Sequence, residues 1–396
     1  MRPEGFPAWS EDPYLRELET RVVSVEPGED GTVLVELEDT VLYPEGGGQP
    51  ADTGRIGGAR VVDVRKRGGR IVHVVEGEVA PGPVTVRLDW DRRYDHMQQH
   101  TAQHLLTALA GRHLGWTTTG FGIGPEVATL DVDVKRPAPE RLRELEELVA
   151  EAVRAARPVR VRWIRREEME RLEVRSRRLP AGLDGPIRLI EIEGIDRNTC
   201  GGTHVASTAE VEAVAIVGTE PMHGGTRLSW VAGRRLRRRM AAREELLAGL
   251  RRVTGAGDAE LAGIVELKLR QLKEARAEAG RLRERLAGST ARELMAREGP
   301  VVAAKLEDGD TVAAVASKLA GSPGSKAYLL VAPDGALALA LAAEAPGRAE
   351  ALGPVAAEAL EARGGGRDRL YRGRATHPER LDGAARALER TLTAKT

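Results

Sequence analysis

Two histidine motifs, about a quarter of the chain apart, constrain this protein more than any other feature, because they are useful together only if the fold brings them to one place. The first is His100-Thr-Ala-Gln-His104; the second is Cys200-Gly-Gly-Thr-His204, which holds the single cysteine of the 396 residues. Around the first motif, Met97, Leu105, Leu106 and Leu109 recur at helical spacing among good helix formers, and Gly111 closes the run. This predicts an α-helix with His100 and His104 one turn apart on one face, so that both can bind one cation. The second motif follows the alternating Ile187, Leu189, Ile190 and Ile192 and the turn-prone Gly194-Ile195-Asp196. Cys200 and His204 are therefore expected on a glycine-rich strand end or loop folded back over the helix.

Imidazoles with one thiolate form a borderline-soft ligand set, for which Zn2+ is the expected metal. With His100, His104, Cys200 and His204 all bound, the site is closed and structural. With His204 free or displaced, an open position can hold a water or a substrate oxygen, and the ion can polarise a carbonyl or supply hydroxide. A zinc hydrolase and a structural zinc clip both fit this spacing. His96, His113 and His223 read as surface or supporting residues rather than ligands.

Sixty basic residues balance sixty acidic ones, so no overall basic field points to nucleic acid. RNA contact would have to come from local patches such as Arg234, Arg235, Arg237, Arg238 and Arg239. No apolar run reaches the roughly 18 residues of a membrane span, and the N-terminus lacks a signal-peptide layout, so the expectation is a cytoplasmic protein with no membrane partner. One cysteine allows no intramolecular disulfide, as in a reducing compartment.

The predicted class is α+β in four parts. Residues 1–88 alternate in short segments (RVVSVEP, TVLVELED, RIVHVVEG, PVTVRLDW) that suit a small β-barrel-like domain carrying the glycine-rich loop from Glu45 to Gln49. Residues 89–235 combine the histidine helix, a strand pair near Ala128–Val134, a helix over Pro139–Ala156, a strand over Val159–Ile164 and two later apolar runs, an α+β metal-binding core. Residues 236–298 form a helical arm, broken at Gly255-Ala-Gly257. Its near-heptad leucines fit either a solvated charged helix or a dimerising coiled coil. Residues 299–396 form a small α/β domain, with strands at TVAAVAS, AYLLVAP and ALALALA, helices over Pro354–Ala362 and Pro378–Leu392, and a turn at Gly364–Gly366.

Four elements carry a family resemblance: Tyr43-Pro-Glu-Gly-Gly-Gly-Gln49, Gln-His100-Thr-Ala-Gln-His104-Leu-Leu, Cys200-Gly-Gly-Thr-His204 and Gly224-Gly225-Thr226-Arg227. In this order they resemble the editing domains of alanyl-tRNA synthetase and the free-standing editing proteins called AlaX. The two metal motifs also resemble the editing domain of threonyl-tRNA synthetase. The length is similar to the long AlaX form, with a helical arm and a glycine-rich DHHA1-type terminal domain. Here Tyr371-Arg-Gly-Arg-Ala-Thr stands where that domain usually has a second glycine run.

The resemblance implies a trans-editing hydrolase that cleaves the aminoacyl ester of tRNA(Ala) mischarged with serine or glycine. Such an enzyme has a physical purpose, because a pocket built for alanine discriminates against one methyl or hydroxyl by only about 1–3 kcal/mol. It also implies that His100, His104, Cys200 and His204 are both the zinc ligands and the catalytic residues. The substrate would pass Glu45, Gly47, Gly48 and Gln49 and meet Gly201 and Gly202, whose backbone N–H groups could stabilise an oxyanion. Thr118, on the strand that lines the family's amino-acid pocket, would sense the serine hydroxyl. A homodimer through the arm or the C-terminal domain is a further expectation. Two alternatives stay open: a tRNA-binding module with structural zinc and no turnover, and a synthetase-related ligase. The ligase would need an ATP-activating domain before residue 1, whereas the chain opens almost directly on the β-domain.

Overall fold

Alternating valine and isoleucine give the N-terminal strands one buried face each. In the computed structural model, which describes residues 2–175 and 185–394, six of them close into a barrel. These are β1 (Glu17–Pro27), β2 (Val33–Leu37), β3 (Gly54–Ile56), β4 (Ala59–Arg67), β5 (Arg70–Glu76) and β6 (Gly82–Leu88). Their order is β1-β2-β5-β4-β3-β6 with antiparallel pairing throughout, so the expected barrel-like domain is a closed barrel with no free edge. Val22, Val35, Ile56, Val61, Val64, Val75 and Val86 fill it. The four alternating segments left out β3 and β4. A bulge between Val61 and Asp63, and the basic Arg65-Lys66-Arg67, interrupt the alternation of β4.

Helix α1 (Trp90–Leu109) buries Met97, Leu105, Leu106 and Leu109 in the next core. It runs beyond the expected stop at Gly111 into a π-helical turn, Ala110–Leu114, and closes at Gly115, whose φ of 70° suits a residue without Cβ. There follow β7 (Thr118–Ile123), β8 (Ala128–Val132), α2 (Pro139–Arg154), β9 (Val159–Ile164) and the short α3 (Arg166–Arg171). Next come β10 (Ile187–Ile192), β11 (Asp196–Thr199), β12 (Val214–Met222) and β13 (Gly225–Ala232). They form two antiparallel sheets, β12-β13-β8-β7 and β11-β10-β9. The strand pair expected near Ala128–Val134 is thus one strand, β8, lying between β7 and β13. Helices α1 and α2 pack with these sheets around Leu106, Leu130, Leu145, Val149, Ile190 and Trp230.

The barrel is tied to α1 by a buried ion pair. Arg93 Nε donates to Asp52 at 2.9 Å, and neither side chain is exposed to solvent. The remaining guanidinium N–H groups reach the carbonyls of Pro13 and Val41, and Asp52 also accepts the Tyr43 N–H at 2.7 Å. Burial nevertheless raises the Asp52 pKa, against the opposing pull of Arg93.

Helix α4 (Gly233–Thr254) carries the arginine run expected as a local basic patch, and three of its five arginines are held in ion pairs. Arg234 pairs with Asp91 at 2.9 Å, Arg235 with Asp95 at 2.7 Å and Arg237 with Glu212 at 2.6 Å.

The chain divides into two compact units, Met1–Ala248 and Gly249–Thr396. The second contains α5 (Leu261–Ala296), β14 (Val301–Lys305), α6 (Gly309–Leu319), β15 (Ala327–Val331), β16 (Ala336–Leu341), α7 (Ala349–Ala359), β17 (Ala362–Arg367), β18 (Leu370–Ala375) and α8 (Leu381–Thr393). Its sheet, β14-β15-β16-β18-β17, is parallel only at β14–β15. Two expectations are corrected. TVAAVAS belongs to helix α6, because Asp308 caps its N-terminus by accepting the Thr311 N–H at 2.7 Å. Gly364–Gly366 is strand β17 rather than a turn, and a Cβ at Gly364 or Gly366 would run into β18. Among the described residues no helix is long and apolar enough to cross a membrane.

Candidate metal centre

The i, i+4 spacing on α1 puts His100 and His104 side by side, with ring centroids 5.3 Å apart. The β10–β11 hairpin then delivers Cys200 just after β11, and the Gly201-Gly202 turn lets His204 fold back, 4.4 Å from the His100 ring and 4.7 Å from the His104 ring. One donor atom from each of the four residues lies within 4.8 Å of all the others. The convergence read from the two motifs is present.

The ring nitrogens divide their work. His100 Nδ1 is 2.7 Å from Gln49 Oε1, which also accepts the Thr203 N–H at 3.1 Å, while Gln49 Nε2 donates to Thr203 Oγ1 at 2.9 Å. That network fixes the amide, so Oε1 is an acceptor and His100 Nδ1 carries the proton. His104 Nδ1 donates to Asp196 at 3.0 Å, and Asp196 is gripped by Arg175 at 2.6 and 3.0 Å. His204 Nδ1 lies 3.2 Å from Thr101 Oγ1. With each Nδ1 engaged, the Nε2 atoms are left for the centre of the cluster. Cys200 Sγ sits 3.4 Å from Nε2 of both His100 and His204.

Electrostatics fits this arrangement. Burial opposes ionisation of Cys200, but the surrounding imidazoles outweigh it and lower its pKa well below the usual thiol value. Burial and the neighbouring His100 push His204 down to about 3, so that ring is neutral. Burial also works against a charged His104, yet its bonds to Asp196 and Cys200 raise its pKa. A divalent cation requires a thiolate and unprotonated Nε2 atoms; the lowered Cys200 and His204 values favour that state, and the raised His104 value opposes it. A carboxylate on Nδ1, as Asp196 is to His104, commonly orients a metal-binding histidine, and Gln49 and Thr101 occupy the same position on His100 and His204. The four side chains therefore fit a tetrahedral soft-to-borderline metal such as Zn2+.

Above the cluster opens a cavity of about 530 Å³, lined by His100, His104 and Cys200. His204 is absent from its wall, so it approaches the cluster from the buried side. Gly46, Gly47, Gly201, Gly202 and Thr118 reach the cavity; Glu45, Gly48 and Gln49 do not. Those three line a neighbouring cavity formed with residues 122–127. Gln49 is fully buried and supports a histidine instead of facing the cavity. A Cβ at Gly202 would overlap the His100 ring and the Gln49 oxygen, which explains the glycine there.

Several functional residues had no signal of their own in the sequence. Gln103 and Thr107 line the cavity beside the two helix histidines, and helical spacing from His100 and His104 could have found them. They form a chain with Thr118, since Gln103 Nε2 donates to Thr107 Oγ1 at 2.8 Å and Thr118 Oγ1 donates to the same oxygen at 3.2 Å. Arg188 clamps the cysteine loop through the carbonyls of Cys200 and Gly202, both at 2.8 Å. Asp196 read as a turn residue, and Gln49 as a substrate-binding residue of the glycine-rich loop rather than as the support of His100.

A Gln49→Leu substitution keeps the side-chain bulk but removes the acceptor of His100. Zinc affinity, measured by chelator competition, is expected to fall roughly 10–100-fold. Gln49→Glu, which can still accept, should retain most of it. Unchanged affinity in the leucine variant would show that Gln49 does not orient the ligand.

Residues 187–237 match the family described as threonyl and alanyl tRNA synthetase second additional domain. The chain is 35% identical to the alanyl-tRNA editing protein Aarsd1 of Mus musculus, over 93% of this chain and 94% of that one. It is 33% identical to Aarsd1-A of Xenopus laevis over 92% of each. An alanine–tRNA ligase of Ignicoccus hospitalis is 37% identical over 62% of this chain but only 28% of its own length. The chain belongs to the alanyl-tRNA editing protein family.

Proposed function

We propose that this protein is a cytoplasmic, zinc-dependent aminoacyl-tRNA deacylase that hydrolyses the ester of tRNA(Ala) mischarged with serine or glycine. The observation that carries this reading is the convergence of His100, His104, Cys200 and His204, the first three of them on the wall of an open cavity, in a chain of this family. A cavity of this size falls within the range of small-ligand sites. We assign Zn2+ to His100, His104, Cys200 and His204; when bound, it supplies a Lewis acid for the ester carbonyl or its attacking water.

The rest of the work falls to the chain itself. Thr118, Thr107 and Gln103 offer a serine hydroxyl a hydrogen-bonded partner that alanine cannot use. Of the glycine amides at the cavity, Gly46 is bonded to Gln49 O and Gly202 to Cys200 Sγ. Those of Gly47 and Gly201 have no acceptor among the described residues and are free to meet the ester oxygen or the terminal ribose. We keep the finer division at 1–88, 89–235, 236–298 and 299–396 as our reading of the domains. We also assign self-association to α5, where Val265, Leu269, Leu272, Leu282 and Leu286 are exposed.

Deacylation of Ser-, Gly- and Ala-tRNA(Ala) tests the proposal. Release of serine and glycine should far outpace release of alanine. Equal enzymatic rates on all three would overturn the assigned specificity, and tRNA binding without turnover would leave the non-catalytic alternative standing.

A further inference from the structure

Lys66 lies near the end of β4, where the strand turns into β5 through Gly68 and Gly69 at φ of 57° and 81°. Its neighbours along the chain are occupied elsewhere. Arg65 pairs with Asp63 at 2.5 Å, Arg70 pairs with Glu36 at 3.2 Å, and Arg67 lines a depression with Glu26 and Glu36. Lys66 instead lines the cavity that contains Cys200, on a wall shared with Gly46 and Gly47. The side chain is exposed and has no carboxylate partner among the described residues. The other cation on that wall, Arg175, is committed to Asp196. Lys66 is therefore the one uncommitted cation of the cavity among the described residues.

The occupant follows from charge. On the reading proposed above, the cavity takes a 3′-aminoacyl adenosine, whose base, ribose and ester are neutral and whose α-ammonium is positive. These groups offer an ammonium no counter-charge. The nearest anion on such a substrate is the phosphodiester on the 5′ side of the terminal adenosine. We propose that Lys66, which lines the cavity together with Gly46 and Gly47, binds that phosphodiester and so sets how far the 3′ end enters the cavity.

Binding of uncharged tRNA(Ala) to the full chain, read by fluorescence anisotropy over a salt series, tests this without requiring turnover. Lys66→Ala should weaken binding about fivefold and reduce the slope of log affinity against log salt by about 0.7, whereas Lys66→Arg keeps both near the wild-type values. A tRNA shortened by its terminal adenosine, and thus lacking that phosphodiester, should bind wild type and Lys66→Ala alike. The proposal is overturned if Lys66→Ala binds intact tRNA as wild type does, or if it weakens the shortened tRNA equally. Should the binding pattern hold while no mischarged tRNA is hydrolysed, the deacylase reading falls and the phosphate contact stands.

Discussion

Cys200→Ala is expected to lose both bound zinc and deacylation of Ser-tRNA(Ala), each by more than the roughly 10–100-fold typical of removing a ligand's hydrogen-bond partner. The thiol is the only anion-forming donor of the cluster, and every imidazole there is directed toward it. Zinc content by mass spectrometry and ester hydrolysis should fall together, with far-ultraviolet circular dichroism unchanged. Full hydrolysis without metal would remove zinc from the chemistry. Loss of the folded signal along with the metal would favour the structural clip.

The second large effect concerns stability. Arg93→Leu leaves Asp52 buried and unpaired, and strips hydrogen bonds from the carbonyls of Pro13 and Val41. Removing one member of a buried pair costs about 3–5 kcal/mol, on the order of 10 °C in melting temperature for a unit of this size. Adding Asp52→Asn should recover part of the loss, because the uncompensated charge is then gone. Additive losses in the double variant would mean that the pair contributes by packing rather than by charge.

What the sequence revealed depended on whether a signal was local. Helical spacing at His100 and His104, and the compact Cys200–His204 motif, made the cluster legible, and alternation made most of the barrel legible. TVAAVAS misled because a short apolar run fits a strand or a buried helix equally well, and the cap at Asp308 decides between them. Gly364–Gly366 resembled a turn, although the glycines serve a close approach of two strands. The supports of the histidines were the least visible. Gln49 and Asp196 are remote in sequence from the rings they hold, and only the closed fold brings them to Nδ1.

That remoteness has a consequence for Gln49. The side chain comes from the loop between β2 and β3 of the barrel, yet its amide sets the rotation of a ring in the core. Gln49 carries no charge and the link is buried, so ionic strength has little hold on it. Salt that screens charges at the protein's surface should leave the histidine cluster in register, so that under the proposed function the site keeps its aim through tRNA release.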